Sequence, residues 1–216
     1  MKNTQRHLIA ALGAAALVLG CATAPSPADI DKATTQAIKS SFRDQGIAKL
    51  DRLAQDDSNR ECSAADVAGQ PLAPARAKAI EAANLKTVKW PSDGKFIGDW
   101  KTGEQIAQNG RGLTWTDDEK VAVGGNCYNC HQITKSEISY GTIGPSLYQY
   151  GKLRGVADPA SATAKPIVEY TWGKIWNAKA YNACSNMPRV GHNILNEQQV
   201  RDVAALLLDP QSPVNK

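Results

Sequence analysis

Methionine is almost missing from this sequence: Met1 and Met187 are the only two in 216 residues. Histidine is nearly as scarce, at His7, His131 and His192. Any metal chemistry that needs a thioether or an imidazole is thereby narrowed to a few named atoms. No alternating apolar–polar run exceeds a few residues, which argues against a half-buried sheet and for a mostly α chain. There is no run of five like charges, and the formal net charge is +4. A polyanion-binding tail is excluded, and nothing argues for nucleic acid. Repeats and low-complexity segments are absent. Beyond the N-terminus no stretch is apolar enough for a membrane helix.

The N-terminus is where apolar residues do run together. Lys2 and Arg6 form a positive n-region, followed by the Ala- and Leu-rich stretch from Leu8 to Gly20, which is too short to span a bilayer. Val18-Leu19-Gly20-Cys21 resembles a bacterial lipobox, whose cysteine becomes the lipidated first residue. Cleavage after Ala24 by the ordinary signal peptidase would leave Pro25 just beyond the cut, a poor substrate for that enzyme. Both routes export the chain, so the expectation is a periplasmic protein, anchored through Cys21 if the lipoprotein route is taken. Removing residues 1–20 takes away Lys2 and Arg6 and leaves a net charge near +2 (4 minus 2).

Residues 22–28 read as a tether. From Asp29, apolar residues at three- and four-residue steps (Ile30, Ala33, Ala37, Ile38, Phe42, then Ile47, Leu50, Leu53) predict helix, broken at Gly46. Asp56 to Asn59 reads as a loop, and Pro74 to Ala83 as a helix with proline at its start. Trp90-Pro91-Ser92-Asp93-Gly94 is a turn and a boundary. Beyond it, Asp99 can cap a helix through Trp100, Gly103, Ile106 and Ala107. Residues 109–126 and 131–165 are punctuated by glycine and proline and read mostly as loop. Glu169 to Ala178 is expected to be helical. In the last helix Asn196 and Gln199 form a capping box, Val200, Val203, Ala204 and Leu207 repeat, and Asp209-Pro210 stops the element. The expected domains are a signal segment 1–20, a tether and helical extension 21–96, and a second domain 97–216.

Cys127-Tyr128-Asn129-Cys130-His131 is a C-x-x-C-H run, the pattern of covalent c-type haem attachment. Two thiols two residues apart can form thioethers along one porphyrin edge, and the next residue then places its imidazole beneath the iron. A zinc site needs about four ligands, and only Cys62, Cys184 and His192 remain to supply them. A thiol–disulfide motif would want a βαβ context that is missing. A proximal histidine needs a fixed acceptor for its second ring nitrogen. Gly144-Pro145-Ser146-Leu147 resembles the G-P-x-L segment of class I cytochromes c, which makes the Pro145 carbonyl the candidate. For the sixth ligand, Met187 is the sole methionine left after processing, and His192 is the competitor. Trp172, Trp176, Tyr148 and Arg189 are candidates to touch the haem or its propionates. Of the five cysteines, Cys62 and Cys184 remain. In an oxidising compartment a disulfide is the economical pairing, and it would pin the extension to the Met187 loop.

The resemblance extends further. Residues 98–112 (GDWKTGEQIAQNGRG), 124–132 (GGNCYNCHQ), 139–147 (SYGTIGPSL) and 170–189 (YTWGKIWNAKAYNACSNMPR) are similar to the SoxX family, over about residues 60–216. SoxX is the monohaem cytochrome subunit of the SoxAX complex of sulfur-oxidising bacteria. The resemblance implies a class I cytochrome c-like domain, here with an α-helical N-terminal extension. It also implies a heterodimer with the cytochrome SoxA. That complex, an L-cysteine S-thiosulfotransferase, joins thiosulfate oxidatively to a cysteine of the carrier SoxY, and a soluble c-type cytochrome takes the electrons. On this reading the chain holds one haem c through Cys127, Cys130, His131 and Met187, with Pro145 in support, and is itself a non-catalytic electron-transfer subunit. The alternative is a periplasmic monohaem carrier with no fixed partner.

Overall fold

A computed structural model describes residues 24–137 and 139–216, apart from the side chains of His192 and Asn193. The signal segment and Cys21 lie outside the described residues. The chain divides between Arg43 and Asp44 into two units.

Of the first unit, helix α1 (Pro27–Ser41) is described. It starts earlier than the apolar spacing predicts, because Ser26 and Asp29 form a reciprocal capping box and Pro27 supplies the first turn. Residues that read as tether therefore belong to the helix. All of its residues are exposed.

The second unit opens on a bridge between Gln45 and Ala48 and a 3₁₀ turn, Leu50–Leu53, where sequence spacing predicts a helix. The predicted break at Gly46 is present: it takes φ +55°, and a Cβ there would meet the Trp115 carbonyl. The predicted loop at Asp56–Asn59 is instead the start of a helix, with Asp56 as its cap. Its side chain accepts from the Asn59 N–H and caps α2 (Asp57–Val67). Helix α3 (Pro74–Leu85) follows as expected. Buried Asn84 ties the two helices together, donating to Ser58 Oγ at 3.1 Å.

Helix α4 (Trp100–Gln108) is capped by Asp99, and α8 (Glu197–Leu208) by the Asn196–Gln199 box, both as predicted. The two cross at Gly103. A Cβ there would overlap the Asp202 carbonyl, so only glycine lets the backbones approach this closely. Beside the crossing, Gly98 N–H donates to Arg201 O and Asp99 N–H to Asp202 Oδ1.

Helix α6 (Lys165–Trp176) begins four residues before the predicted Glu169, because Pro166 starts it, and it ends at Trp176, where Asn177 turns the chain. Trp172 at its centre is fully buried, stacks on Trp176 at 5.7 Å and donates to the Lys89 carbonyl at 2.9 Å. Burying the ring of Trp172 is worth ~3–5 kcal/mol by the usual cost of its truncation. Short helices α5 (Tyr150–Leu153) and α7 (Val190–Asn193) complete the unit. The core lies between α4, α6 and α8. Among the described residues there is no strand, and no helix is long and apolar enough to cross a membrane.

Candidate haem site

The attachment motif hangs from the end of α4. Gly125 N–H donates to Ile106 O and Asn126 N–H to Asn109 O, and Asn126 then turns left-handed at φ 51°. A single tight turn follows, in which Cys130 and His131 both donate their N–H to the Cys127 carbonyl, at 3.1 and 2.9 Å. The two thiols and the imidazole thus leave the chain within one turn, as the spacing of the motif requires. Burial pushes the Cys127 thiol up to about 11. A thiol held so high is a poor thiol–disulfide nucleophile, which counts against Cys127 as the attacking thiol of a redox motif.

His131 is fixed by the segment that sequence reasoning singled out. Its Nδ1 lies 2.7 Å from the Pro145 carbonyl. A carbonyl only accepts, so Nδ1 carries the hydrogen and the Nε2 lone pair is free to bind a metal. The segment is stitched on by Gly141 N–H to Tyr128 O, Gly144 N–H to Cys130 O and Leu147 N–H to Gln132 O. Gly144 does more than turn the chain. A Cβ on it would collide with the His131 ring. Sequence reading took Gly144 as part of the proline motif and missed this role; its adjacency to Pro145 was the available signal.

Met187 is half-buried and packs against the core cluster, as do Cys127, Tyr128, Leu147 and Ile194. Its loop is fastened by the Cys62–Cys184 disulfide, by an ion pair between Arg189 and Asp56, and by the Ala183 N–H, which donates to Glu81 Oε1 at 3.2 Å. The cysteine pairing expected from thiol counting is present. Asp56 and Glu81 carry no motif, and nothing in the sequence pattern pointed to them. The side chain of the competitor His192 lies outside the described residues.

Of the candidate haem-packing residues, three have partners elsewhere. Trp172 donates to Lys89 O, Tyr148 Oη to Lys216 O, and Arg189 is held by Asp56. Trp176 differs: its buried Nε1–H finds no acceptor among the described residues. Such a donor is costly unless something accepts from it. A propionate-bearing ligand supplies acceptors. With two thiols in one turn, an oriented imidazole, a thioether and this donor, the residues present fit a covalent haem.

Residues 119–209 match the cytochrome c family. The chain carries a cytochrome c domain. With the helices described above, the fold is mostly α and class I cytochrome c-like, and the cofactor of this domain is covalently attached haem c, which supports an electron-transfer role. A protein of Aquifex aeolicus (strain VF5), called an uncharacterized lipoprotein, is 37% identical over 132 residues, which is 60% of this chain and 59% of that protein. The chain thus spans about three-fifths of that relative's length in the match.

Proposed function

We propose that this cytochrome is the electron-transfer subunit of a SoxAX-type complex, exported to the periplasm. Haem is joined to Cys127 and Cys130, and His131 and Met187 hold the iron. The observation that carries the reading is the segment 170–189. There the SoxX-like residues run from the end of α6 into a loop with a half-buried thioether at Met187. Bound haem supplies a one-electron couple. Pro145 holds the His131 proton at Nδ1 and so keeps Nε2 on the metal. A thioether from Met187, together with the His131 imidazole, would favour ferrous iron and raise the potential of the bound group, which suits electron transfer. With His131 and Met187 both holding the group, this chain would offer no free position for thiosulfate, and the transferase chemistry would belong to SoxA, with SoxY as the substrate carrier and a soluble c-type cytochrome as the acceptor. The lipobox at Cys21, and a relative that is named a lipoprotein, support a lipid anchor.

The test is thiosulfate-dependent reduction of an acceptor cytochrome in the presence of SoxY. The isolated chain is expected to give no rate, SoxA alone little, and the mixture a clear rate, with the two cytochromes co-eluting at physiological salt. Turnover by the isolated chain, or elution without a partner, would leave a free electron carrier as the function. In the same preparation acid acetone should leave haem on the polypeptide, at Cys127 and Cys130.

A further inference from the structure

The loop that carries Met187 has few ties to its own domain. Among the described residues, every hydrogen bond, ion pair and disulfide that joins Ala183–Arg189 to a residue outside 174–189 ends on Asp56, Cys62 or Glu81. Those three residues stand on or at the start of α2 and α3. They are placed on both flanks of the methionine. Cys184 lies three positions before it and Arg189 two positions after. Asp56 works twice, capping α2 with one oxygen and pairing with Arg189 through the other. Behind the loop, Asn177 Nδ2 donates to Asn84 Oδ1 at 3.0 Å and to Thr87 Oγ1 at 2.9 Å, which fixes the point where the loop leaves α6.

We propose that α2 and α3 form a latch for the distal ligand, in which Cys62, Asp56 and Glu81 are positioning residues that hold Met187 against the iron. This rests on the reading of Met187 as the axial ligand given above. A thioether is a weak ligand whose occupancy depends on how often its loop presents it. A loop tied on both flanks seldom samples conformations with the sulfur withdrawn. An external ligand must wait for such a conformation, so its apparent affinity is scaled down by the fraction of time the loop is open. The latch therefore acts on ligand exchange at the iron.

The experiment compares ferric holoprotein with the Cys62→Ser/Cys184→Ser variant. Imidazole binding is followed by loss of the sulfur-to-iron band near ~695 nm, the region expected of His/Met haem. The variant is expected to bind imidazole about tenfold more tightly, through a larger open fraction. A variant with normal haem content and helicity whose imidazole affinity stays within about twofold of wild type overturns the latch. Arg201→Ala serves as control. It removes ion pairs with Asp93 and Glu197 and should lower stability without moving imidazole affinity. Equal tightening in that control would show general loosening and also overturn the proposal. If the serine variant does not mature, purified wild-type holoprotein is reduced with dithionite, with or without a phosphine that opens the disulfide, as checked by alkylation of both thiols. Carbon monoxide should then bind about tenfold faster to the opened form, and equal rates count against the latch. Met187→Ala separates the two failures. If that variant keeps the 695 nm band, the ligand assignment has failed; if it loses the band while the serine variant behaves as wild type, only the latch has.

Discussion

The two sides of the haem site are built on opposite plans. The histidine side is local. Cys127, Cys130, His131, Gly144 and Pro145 lie in one stretch of chain, and His131 meets its acceptor 14 positions away. The methionine side is assembled from afar, by a disulfide across 122 positions and a hydrogen bond across 102. Closing a short loop costs little chain entropy, so the histidine side can form from its own contacts. The contacts of the methionine side exist only with α2 and α3 in place, and the covalent bond between Cys62 and Cys184 lowers the entropic cost of that arrangement. A ligand that must stay put is therefore coded locally. The proposed second ligand, Met187, sits instead in a loop tied to a separate pair of helices.

The largest expected effect breaks the local side. Gly144→Ala puts a methyl group into the His131 ring. Either the ring leaves the Pro145 carbonyl or the segment lifts from Cys130. Overpacking of this kind typically costs ~1–3 kcal/mol, and here it falls on the proposed metal ligand itself. Covalent haem recovered per polypeptide should drop severalfold, with whatever holoprotein forms melting well below wild type. Normal haem yield and an unchanged melt would mean that the segment gives way easily, and that the histidine side is less rigid than its hydrogen bonds imply.

The remote side should respond differently to loss of its crosslink. In the Cys62→Ser/Cys184→Ser variant, haem attachment should proceed, because the motif at 127–131 is untouched. The stability lost is ~3–5 kcal/mol on the chain-entropy account of a loop this long. Denaturant unfolding followed by far-UV signal measures it. A loss under about 1 kcal/mol would show that noncovalent contacts alone hold α2 to the Met187 loop, and would narrow the contrast between the two sides.

The same contrast explains what could be read from the sequence. The capping residues Asp99 and Asn196, the proline start of α3 and the C-x-x-C-H turn are short-range codes, and each stands where the pattern put it. Pro145 was legible through the resemblance of Gly144–Leu147 to the G-P-x-L segment, and its partner lies close by in the chain. The disulfide was legible only by counting thiols, since no pattern links positions 62 and 184. Helix α2 was missed because it is polar along its length and buries only Ser58, so apolar spacing carried no signal; the helix is recognised by its cap. The reverse error came at Leu50 and Leu53. The break at Gly46 stands as predicted, but the segment after it forms only a four-residue 3₁₀ turn, all exposed, so its helical spacing has no core to face. Asp56 and Glu81 have ordinary surface-residue identities and gain their roles from tertiary placement alone.

The smallest expected effect isolates the ionic part of the remote side. Asp56→Asn keeps a good helix cap, because asparagine caps as well as aspartate, and removes the charge that faces Arg189. The Arg189 guanidinium, more than any other group, holds the Asp56 carboxyl below its usual 3.8, helped by the Asn59 N–H and opposed by partial burial. A carboxyl depressed in the folded state adds stability above its unfolded value, and that stability is lost as pH falls through the lower folded value. The side chain of Asp56 is 41% exposed, so solvent screening limits the pair to under about 1 kcal/mol. Wild type should therefore melt slightly above Asp56→Asn at neutral pH, by a margin that stays constant down to about pH 5 and closes as the pH falls below 3.8. Added salt should shrink the margin at pH 7. A margin that persists undiminished in acid would mean that the carboxylate's charge is not what holds Arg189. The disulfide and Glu81 would then account for the whole hold on the Met187 loop.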